Sequence, residues 1–221
     1  MKNSQGGFTL VEIAIVLVII GLLLGGVLKG QELINSAKVK NFVNDFKTVP
    51  LFIYGYQDKF RALPGDDGKV SEHLGGAATS AGVTLLAPTA SPGDGRIDGG
   101  YNSTSPGDET VAFWQHIRLA NLASGATGFA TPASDMPTNA DGGKVGVQSI
   151  APIGGMTGSY FVCSDGIQGK FAKQIDITMD DGNTAGGSVR VAVGPYVATA
   201  LTAAATTAIV DGNTYIVCSA F

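Results

Sequence analysis

Residues 7–28 read GFTLVEIAIVLVIIGLLLGGVL, and this stretch sets the architecture of the N-terminal part of the chain. The 21 residues from Phe8 to Leu28 are apolar or small, with the single exception of the carboxylate of Glu12. A helix of this length measures about 31 Å, which is enough to cross the hydrocarbon core of a bilayer. The segment is therefore predicted to be a membrane-spanning helix.

The flanks of this segment differ from those of an ordinary secretory signal peptide. Lys2 is the only basic residue before it, the apolar run is longer than a usual signal core, and no A-x-A-like exit follows it. The apolar helix is therefore predicted to be retained, with any cleavage before it. Small residues admit a protease to extended backbone, and a cut between Gly7 and Phe8 would leave Phe8 as the first residue. The alternative is an uncleaved single-span anchor.

Glu12 calls for a partner, because an ionised carboxylate alone in hydrocarbon costs several kcal/mol. Glu12 lies one helical turn from Phe8. The new α-amine of Phe8 on a neighbouring copy would reach it, and this pairing would set the stagger between subunits. Alternatively, Glu12 snorkels to the interface or is protonated, and these residues alone leave both explanations open.

The heptapeptide GFTLVEI, residues 7–13, closely resembles the class III leader and helix start of type IV pilins and type II secretion pseudopilins. In that family a prepilin peptidase cuts after the glycine that matches Gly7 and N-methylates the residue that matches Phe8. The glutamate that matches Glu12 is implicated in docking each subunit against the preceding one during assembly. The resemblance covers residues 1 to about 60.

One departure from the family lies near the end of the apolar segment. Many pilins carry a proline close to the position of Lys29, whereas this chain has Gly21, Gly25 and Gly26 instead. Glycine weakens a helix by roughly 1 kcal/mol relative to alanine. Local melting in a filament and close helix packing through small residues are both compatible with these glycines.

The helix is predicted to continue beyond the membrane as far as the turn at Leu63–Asp67, where Pro-Gly-Asp ends it. Pro50 is expected to interrupt and kink it. Apolar residues recur at spacings of four, three, four, three and four, which predicts one stripe that packs on a domain core. This stripe consists of Phe42, Phe46, Val49, Ile53, Tyr56 and Phe60.

The remainder is predicted to be a head with a long loop over about 65–106, a helix from Asp108 or Glu109 to about Ala123, and short strands. The predicted strands are 144–150, 159–163, 176–179, 188–193 and 215–218, and one or two helical turns are predicted over 168–175. The fold class is α+β, with a long helix packed on an antiparallel sheet as in pilins. The predicted organisation is a leader peptide (1–7), a transmembrane and filament-core helix (8–28), its amphipathic continuation (29–62) and a globular head (63–221).

The two cysteines, Cys163 and Cys218, form no CxxC motif and have no histidines at zinc spacing. Two distant cysteines behind an export-type N-terminus favour one disulfide, and the alternative is a pair of buried thiols. A disulfide often closes the C-terminal region of pilins, and these cysteines match that role in general position.

Composition and motifs argue against two classes of function. With 14 Lys and Arg against 18 Asp and Glu, and no basic run, the charge does not favour a specific nucleic-acid site. None of the common nucleophile, phosphate-binding or metalloprotease motifs occurs, and the two histidines, His73 and His116, have no nucleophile beside them in sequence. The chain is therefore not expected to be an enzyme, and no catalytic residue is assigned.

No cofactor is expected, except that acidic loops in the sequence offer a candidate site for calcium. Asp94, Asp98 and Asp108 lie in Gly-rich loops and offer the oxygen ligands that calcium prefers, and major pseudopilins resemble this chain in carrying an acidic calcium loop. The spacing of an EF-hand is absent, and aspartate also populates turns for reasons unrelated to metals. Calcium is nevertheless retained as a candidate cofactor at Asp94, Asp98 and Asp108.

The resemblance implies a structural subunit of a type IV pilus-like filament, held as a single-pass protein in the inner membrane with a periplasmic head. Its implied partners are the prepilin peptidase, identical or related pilin subunits, the inner-membrane assembly machinery and, before assembly, lipid. The implied filament, extracellular or periplasmic, would serve adhesion or protein secretion. Alternatives within the family are a type II secretion pseudopilin and a minor (tip) pilin. The alternative from another class is a membrane-anchored binding protein that does not polymerise.

Overall fold

The computed structural model describes residues 9–89, 91–129, 131 and 135–221. The chain divides into two compact units, residues 1–38 and 39–221. In the first unit, the described residues from Leu10 onward belong to the first part of helix α1, Leu10–Phe60. All residues of this helix from 10 to 28 are exposed, and an 18-residue window reaches a mean hydropathy of 2.8. This part of α1 is long and apolar enough to cross a membrane.

The second unit begins at Val39, and from here α1 buries one side. The predicted stripe is confirmed, with five of its members buried and Phe60 half-buried. The helix continues through Pro50, so the predicted interruption there is wrong. A proline inside a helix costs about 3 kcal/mol, and burial of its apolar neighbours offsets that loss. The buried residues of α1 are Val39, Phe42, Val43, Phe46, Val49, Pro50, Ile53 and Tyr56.

Four antiparallel strands form the sheet of the second unit, in the spatial order β1-β2-β4-β3. Their bounds are β1 Val145–Gln148, β2 Phe161–Gln168, β3 Val189–Ala192 and β4 Thr214–Ala220. The central pair, β2 and β4, places Cys163 directly opposite Cys218. A long helix together with this antiparallel sheet confirms the predicted α+β class.

Three shorter α-helices, α2 Val70–Ala81, α3 Glu109–Leu119 and α4 Gly169–Met179, and one 3-10 turn, Thr206–Ala208, complete the described fold. The helix α2 lies where a long loop was predicted, so that prediction is wrong for these residues. The predicted strand 176–179 is also wrong, because these residues form the last turn of α4. Both helices are amphipathic in their burial: α2 buries Val70, Leu74 and Ala78, and α4 buries Gly169, Phe171, Ala172, Ile175 and Asp176.

The sheet has an apolar cluster on each face. One cluster joins α1, α3 and α4 to the sheet and includes Phe46, Trp114 and Val217. The rings of Phe42 and Phe171 lie 5.9 Å apart within it. The cluster on the other face contains both cysteines and is completed by loop residues, which include Tyr101, Ile153, Met156 and Tyr196.

Candidate functional site

The start of α1 is held by reciprocal hydrogen bonds between Thr9 and Glu12. The Thr9 N–H and the Thr9 hydroxyl each donate to Glu12 Oε2 at 2.8 Å, and the Glu12 N–H donates to Thr9 Oγ1 at 3.3 Å. This is a capping box, in which a Thr and a Glu three residues later satisfy free N–H groups of the first turn. The T-x-x-E spacing that predicts such a box is present in the sequence.

Glu12 is exposed, so its carboxylate is accessible to another chain. The predicted processing residues, Gly7 and Phe8, lie outside the described residues. The helix surface at Gly21, Gly25 and Gly26 is also unoccupied. A Cβ added at any of these positions would meet nothing within 4 Å in the described structure. The first unit thus presents an apolar helix with one carboxylate at its start.

The predicted cysteine pair is bonded in the structure. Cys163 and Cys218 form a disulfide across 55 residues, and neither is exposed. The bond joins the two central strands of the sheet at directly opposed positions. It also encloses α4 and β3, which lie between the two cysteines in the chain.

The calcium candidates Asp94, Asp98 and Asp108 each have a local partner. Asp94 Oδ1 accepts the Arg96 N–H at 2.9 Å, and Asp98 Oδ1 lies 3.6 Å from Arg96 Nε. Asp108 Oδ2 accepts the Ser103 hydroxyl at 2.6 Å. The structure thus brings Asp94 and Asp98 to one turn around Arg96, and calcium binding there stays a prediction.

A second polar cluster, at the end of α1, was not found from the sequence. Asp67 Oδ2 accepts the Tyr56 hydroxyl and pairs with His73 Nδ1, both at 2.7 Å. The neighbouring carboxylate of Asp66 accepts backbone N–H groups of Gly93 and Gly95. An open cavity of about 810 Å³ adjoins this cluster. These contacts join residues that are 6 to 29 positions apart in the chain, and the sequence spacing gave no signal for them.

His116 is a fully buried structural residue. Its Nδ1 accepts the Gly65 N–H at 3.0 Å, and its Nε2 is 2.8 Å from the Leu86 carbonyl oxygen. The ring is therefore neutral with its proton on Nε2, which donates to Leu86. Burial lowers the pKa of His116 from 6.5 to about 4. Since both nitrogens are engaged, the ring has no free nitrogen for proton transfer to a substrate.

Lowering the pH is expected to destabilise the second unit through His116. The unfolded chain takes up this proton near pH 6.5 and the folded protein only near its pKa of about 4, so stability falls progressively across that interval. The loss reaches about 3 kcal/mol of unfolding free energy at the acid end. Urea unfolding of the full chain in detergent, followed by the fluorescence of Trp114, measures it at pH 7 and near pH 4.5.

His116→Gln is the control for this measurement. Burial raises the pKa of Glu109 to about 7 and that of Asp176 to about 6, so protonation of these two carboxylates acts in the opposite direction. Both carboxylates are present in wild type and in the variant, so their contributions cancel in the difference between the two unfolding free energies. The stability difference between the two proteins should therefore shrink as the pH falls, and an unchanged difference would contradict the assignment.

The N-terminal segment matches a known family model. Residues 2–28 match the prokaryotic N-terminal methylation motif. No curated protein and no solved structure matches the chain significantly. The match covers the predicted leader and the apolar part of α1, and it supports the resemblance of this segment to the class III prepilin leader of type IV pilins and pseudopilins.

Proposed function

We propose that this chain is a structural subunit of a type IV pilus-like filament, and that it polymerises through the first part of α1. The observation that carries the proposal is the methylation motif at residues 2–28, continuous with a helix whose residues 10–28 are all exposed. Such a surface is unstable in water and requires lipid or other apolar helices around it. Membrane insertion before assembly, and helix bundling after it, would satisfy this requirement in turn.

Glu12 is proposed to join neighbouring subunits. Cleavage after Gly7 would create an α-amine at Phe8, and the exposed carboxylate of Glu12 on an adjacent subunit would neutralise it. The attraction of opposite charges in a low-dielectric bundle is strong enough to set the stagger between helices. The capping box holds the carboxylate at the start of α1, ready for this contact.

The proposed life cycle follows from these two properties. The precursor is a single-pass inner-membrane protein with its head in the periplasm, where an oxidising environment favours the Cys163–Cys218 disulfide. The prepilin peptidase removes residues 1–7, and the inner-membrane assembly machinery adds the mature subunit to identical or related pilins. The role is mechanical, whether in a pilus, at its tip or in a secretion pseudopilus, and we assign no catalytic residue.

An anchored binding protein that does not polymerise is the second candidate. The capping box favours it, because Thr9 gives Glu12 a local partner and so a reason to be present without any neighbouring subunit. In this alternative the apolar part of α1 remains in lipid and the leader stays attached. The two candidates differ in the chemistry of the N-terminus.

Mass spectrometry of the protein isolated from cells that contain a prepilin peptidase tests the proposal. We expect a chain of 214 residues (221 minus the seven-residue leader) that begins with N-methylated Phe8. Gly7→Leu should abolish processing because a bulky residue at the scissile bond obstructs the protease, whereas Gly6→Ala should be cut normally. An intact Met1 in wild type would favour the anchored binding protein instead.

A further inference from the structure

Three carboxylates meet at the C-terminal end of α4. One oxygen from each of Asp176, Asp180 and Asp181 lies within 4.8 Å of the other two. None of these residues was predicted to bind a metal from the sequence, which assigned Asp176 to a strand and Asp180 and Asp181 to the turn after it. The cluster is graded in exposure, from fully buried Asp176 through half-buried Asp180 to exposed Asp181.

The buried member of this cluster lacks a compensating group. Asp176 has no exposed surface, and neither of its carboxylate oxygens makes a hydrogen bond within the described residues. Burial and the charges of Asp180 and Asp181 raise the pKa of Asp176 to about 6. The nearby N–H of Gly182, which lies outside regular hydrogen-bond geometry with this carboxylate, opposes the shift only in part. The C-terminal end of a helix adds further negative potential. A buried anion in this environment is costly unless a cation accompanies it.

The other two carboxylates hold the surrounding backbone in place. Asp180 Oδ2 accepts the N–H groups of Ser188 and Val189 at 2.6 and 2.9 Å, which fixes the beginning of β3. Asp181 Oδ1 accepts the Asn183 N–H at 2.8 Å. Each therefore keeps a second oxygen for another ligand, and the exposed side of the cluster gives an ion and its water access.

We propose that Asp176, Asp180 and Asp181 bind one calcium ion. Oxygen ligands alone, three of them negatively charged, suit a hard divalent cation, and calcium completes its larger shell readily with water and carbonyl oxygens. Zinc sites draw instead on cysteine and histidine. The bound ion would join the end of α4 to the beginning of β3, and this role does not depend on filament assembly.

Thermal unfolding of the full chain in detergent, after EDTA treatment and then with added calcium chloride, tests this site. At a calcium concentration about one hundred times the dissociation constant, the melting temperature should rise by about 5 to 10 °C. Isothermal titration calorimetry should give one calcium per chain. Magnesium at the same concentration should produce a smaller rise, because it demands a tighter octahedral shell.

Two variants and two controls locate the ion. Asp181→Asn alters an exposed side chain and should fold normally while losing most of the calcium-dependent rise, and Asp176→Asn should lose it as well. Asp58→Asn, at an exposed position of α1, removes the same charge elsewhere and should keep the full rise. The double variant Asp94→Asn/Asp98→Asn should also keep it.

Two results would overturn the proposal. One is a wild-type melting temperature that does not respond to calcium at millimolar concentration. The other is a full calcium response in folded Asp181→Asn, and if the Asp94→Asn/Asp98→Asn variant then lost the response, the ion would be assigned to the loop around Arg96.

Discussion

Glu12→Gln is expected to insert into the membrane and lose its leader normally, yet to be depleted at least about tenfold from sheared filaments. Removing one partner of a buried charge pair costs about 2 to 5 kcal/mol, and 1.4 kcal/mol already corresponds to a factor of ten. Glutamine at this position preserves the shape and hydrogen bonding of a capping box while abolishing the charge. The measurement is an immunoblot of the sheared fraction, normalised to the subunit that remains in the membrane.

Thr9→Ala provides the matched control, because the capping hydrogen bonds and the charge belong to different atoms. This variant loses the Thr9 hydroxyl, which donates to Glu12 Oε2, but keeps the carboxylate. If the charge acts between subunits, Thr9→Ala should assemble far better than Glu12→Gln. Glu12→Ala, which loses both charge and cap, should assemble no better than Glu12→Gln.

The opposite ranking would remove the proposed role of Glu12. Near-normal assembly of Glu12→Gln, together with poor assembly of Thr9→Ala and Glu12→Ala, would mean that Glu12 serves only to cap α1. The proposed contact between Glu12 and the α-amine of a neighbouring subunit would then be wrong. The result of the leader cleavage test would still stand. The two experiments therefore separate the processing of the chain from the contact that joins its copies.

The long helix was predictable because its signal is repeated many times. The stripe of apolar residues on α1 keeps helical spacing over five intervals, and the turn at Leu63–Asp67 supplies a clear end near Phe60. The effect of Pro50 on the helix was overestimated. The free-energy cost of one proline inside a helix is smaller than the stabilisation from the buried side chains packed around it.

The short helices were harder because their local signals are weak or ambiguous. α2 contains Gly75-Gly76 and several small residues of low helix propensity, and it is held by the burial of Val70, Leu74 and Ala78. In α4, Ile175, Ile177 and Met179 alternate as in a strand. Ile177 is nevertheless exposed, and the true apolar side is formed by Phe171, Ala172 and Ile175.

The candidate sites also differ in how far the sequence alone could predict them. The Thr9–Glu12 capping box was available from spacing alone, since its members lie three residues apart. The acidic cluster at the end of α4 was not, because its geometry depends on α4 being a helix and on β3 beginning beside Asp180. The contact of His116 with Gly65 joins positions 51 residues apart, and only the packed fold reveals it.

Removal of the Cys163–Cys218 disulfide is the second change with a large expected effect. The double variant Cys163→Ala/Cys218→Ala should lose about 4 kcal/mol of unfolding free energy, because the bond closes a loop of 55 residues that the unfolded chain would otherwise explore freely. Insertion into the membrane should be unchanged, since the apolar part of α1 belongs to the first unit and both cysteines belong to the second. Urea unfolding of the full chain in detergent, followed by Trp114 fluorescence, gives the difference.

Reduced wild type separates the bond from the side chains. Treatment with dithiothreitol breaks the disulfide without removing either sulfur, so reduced wild type should lose most of the stability that the double variant loses. Any remaining difference between them measures the small cavities left by two alanines in the buried cluster that contains both cysteines. Because the bond joins the central strands β2 and β4, its loss should also expose the chain between them, with α4 and β3, to proteolysis. Equal urea midpoints and equal protease resistance before and after reduction would show that the head derives no stability from this bond.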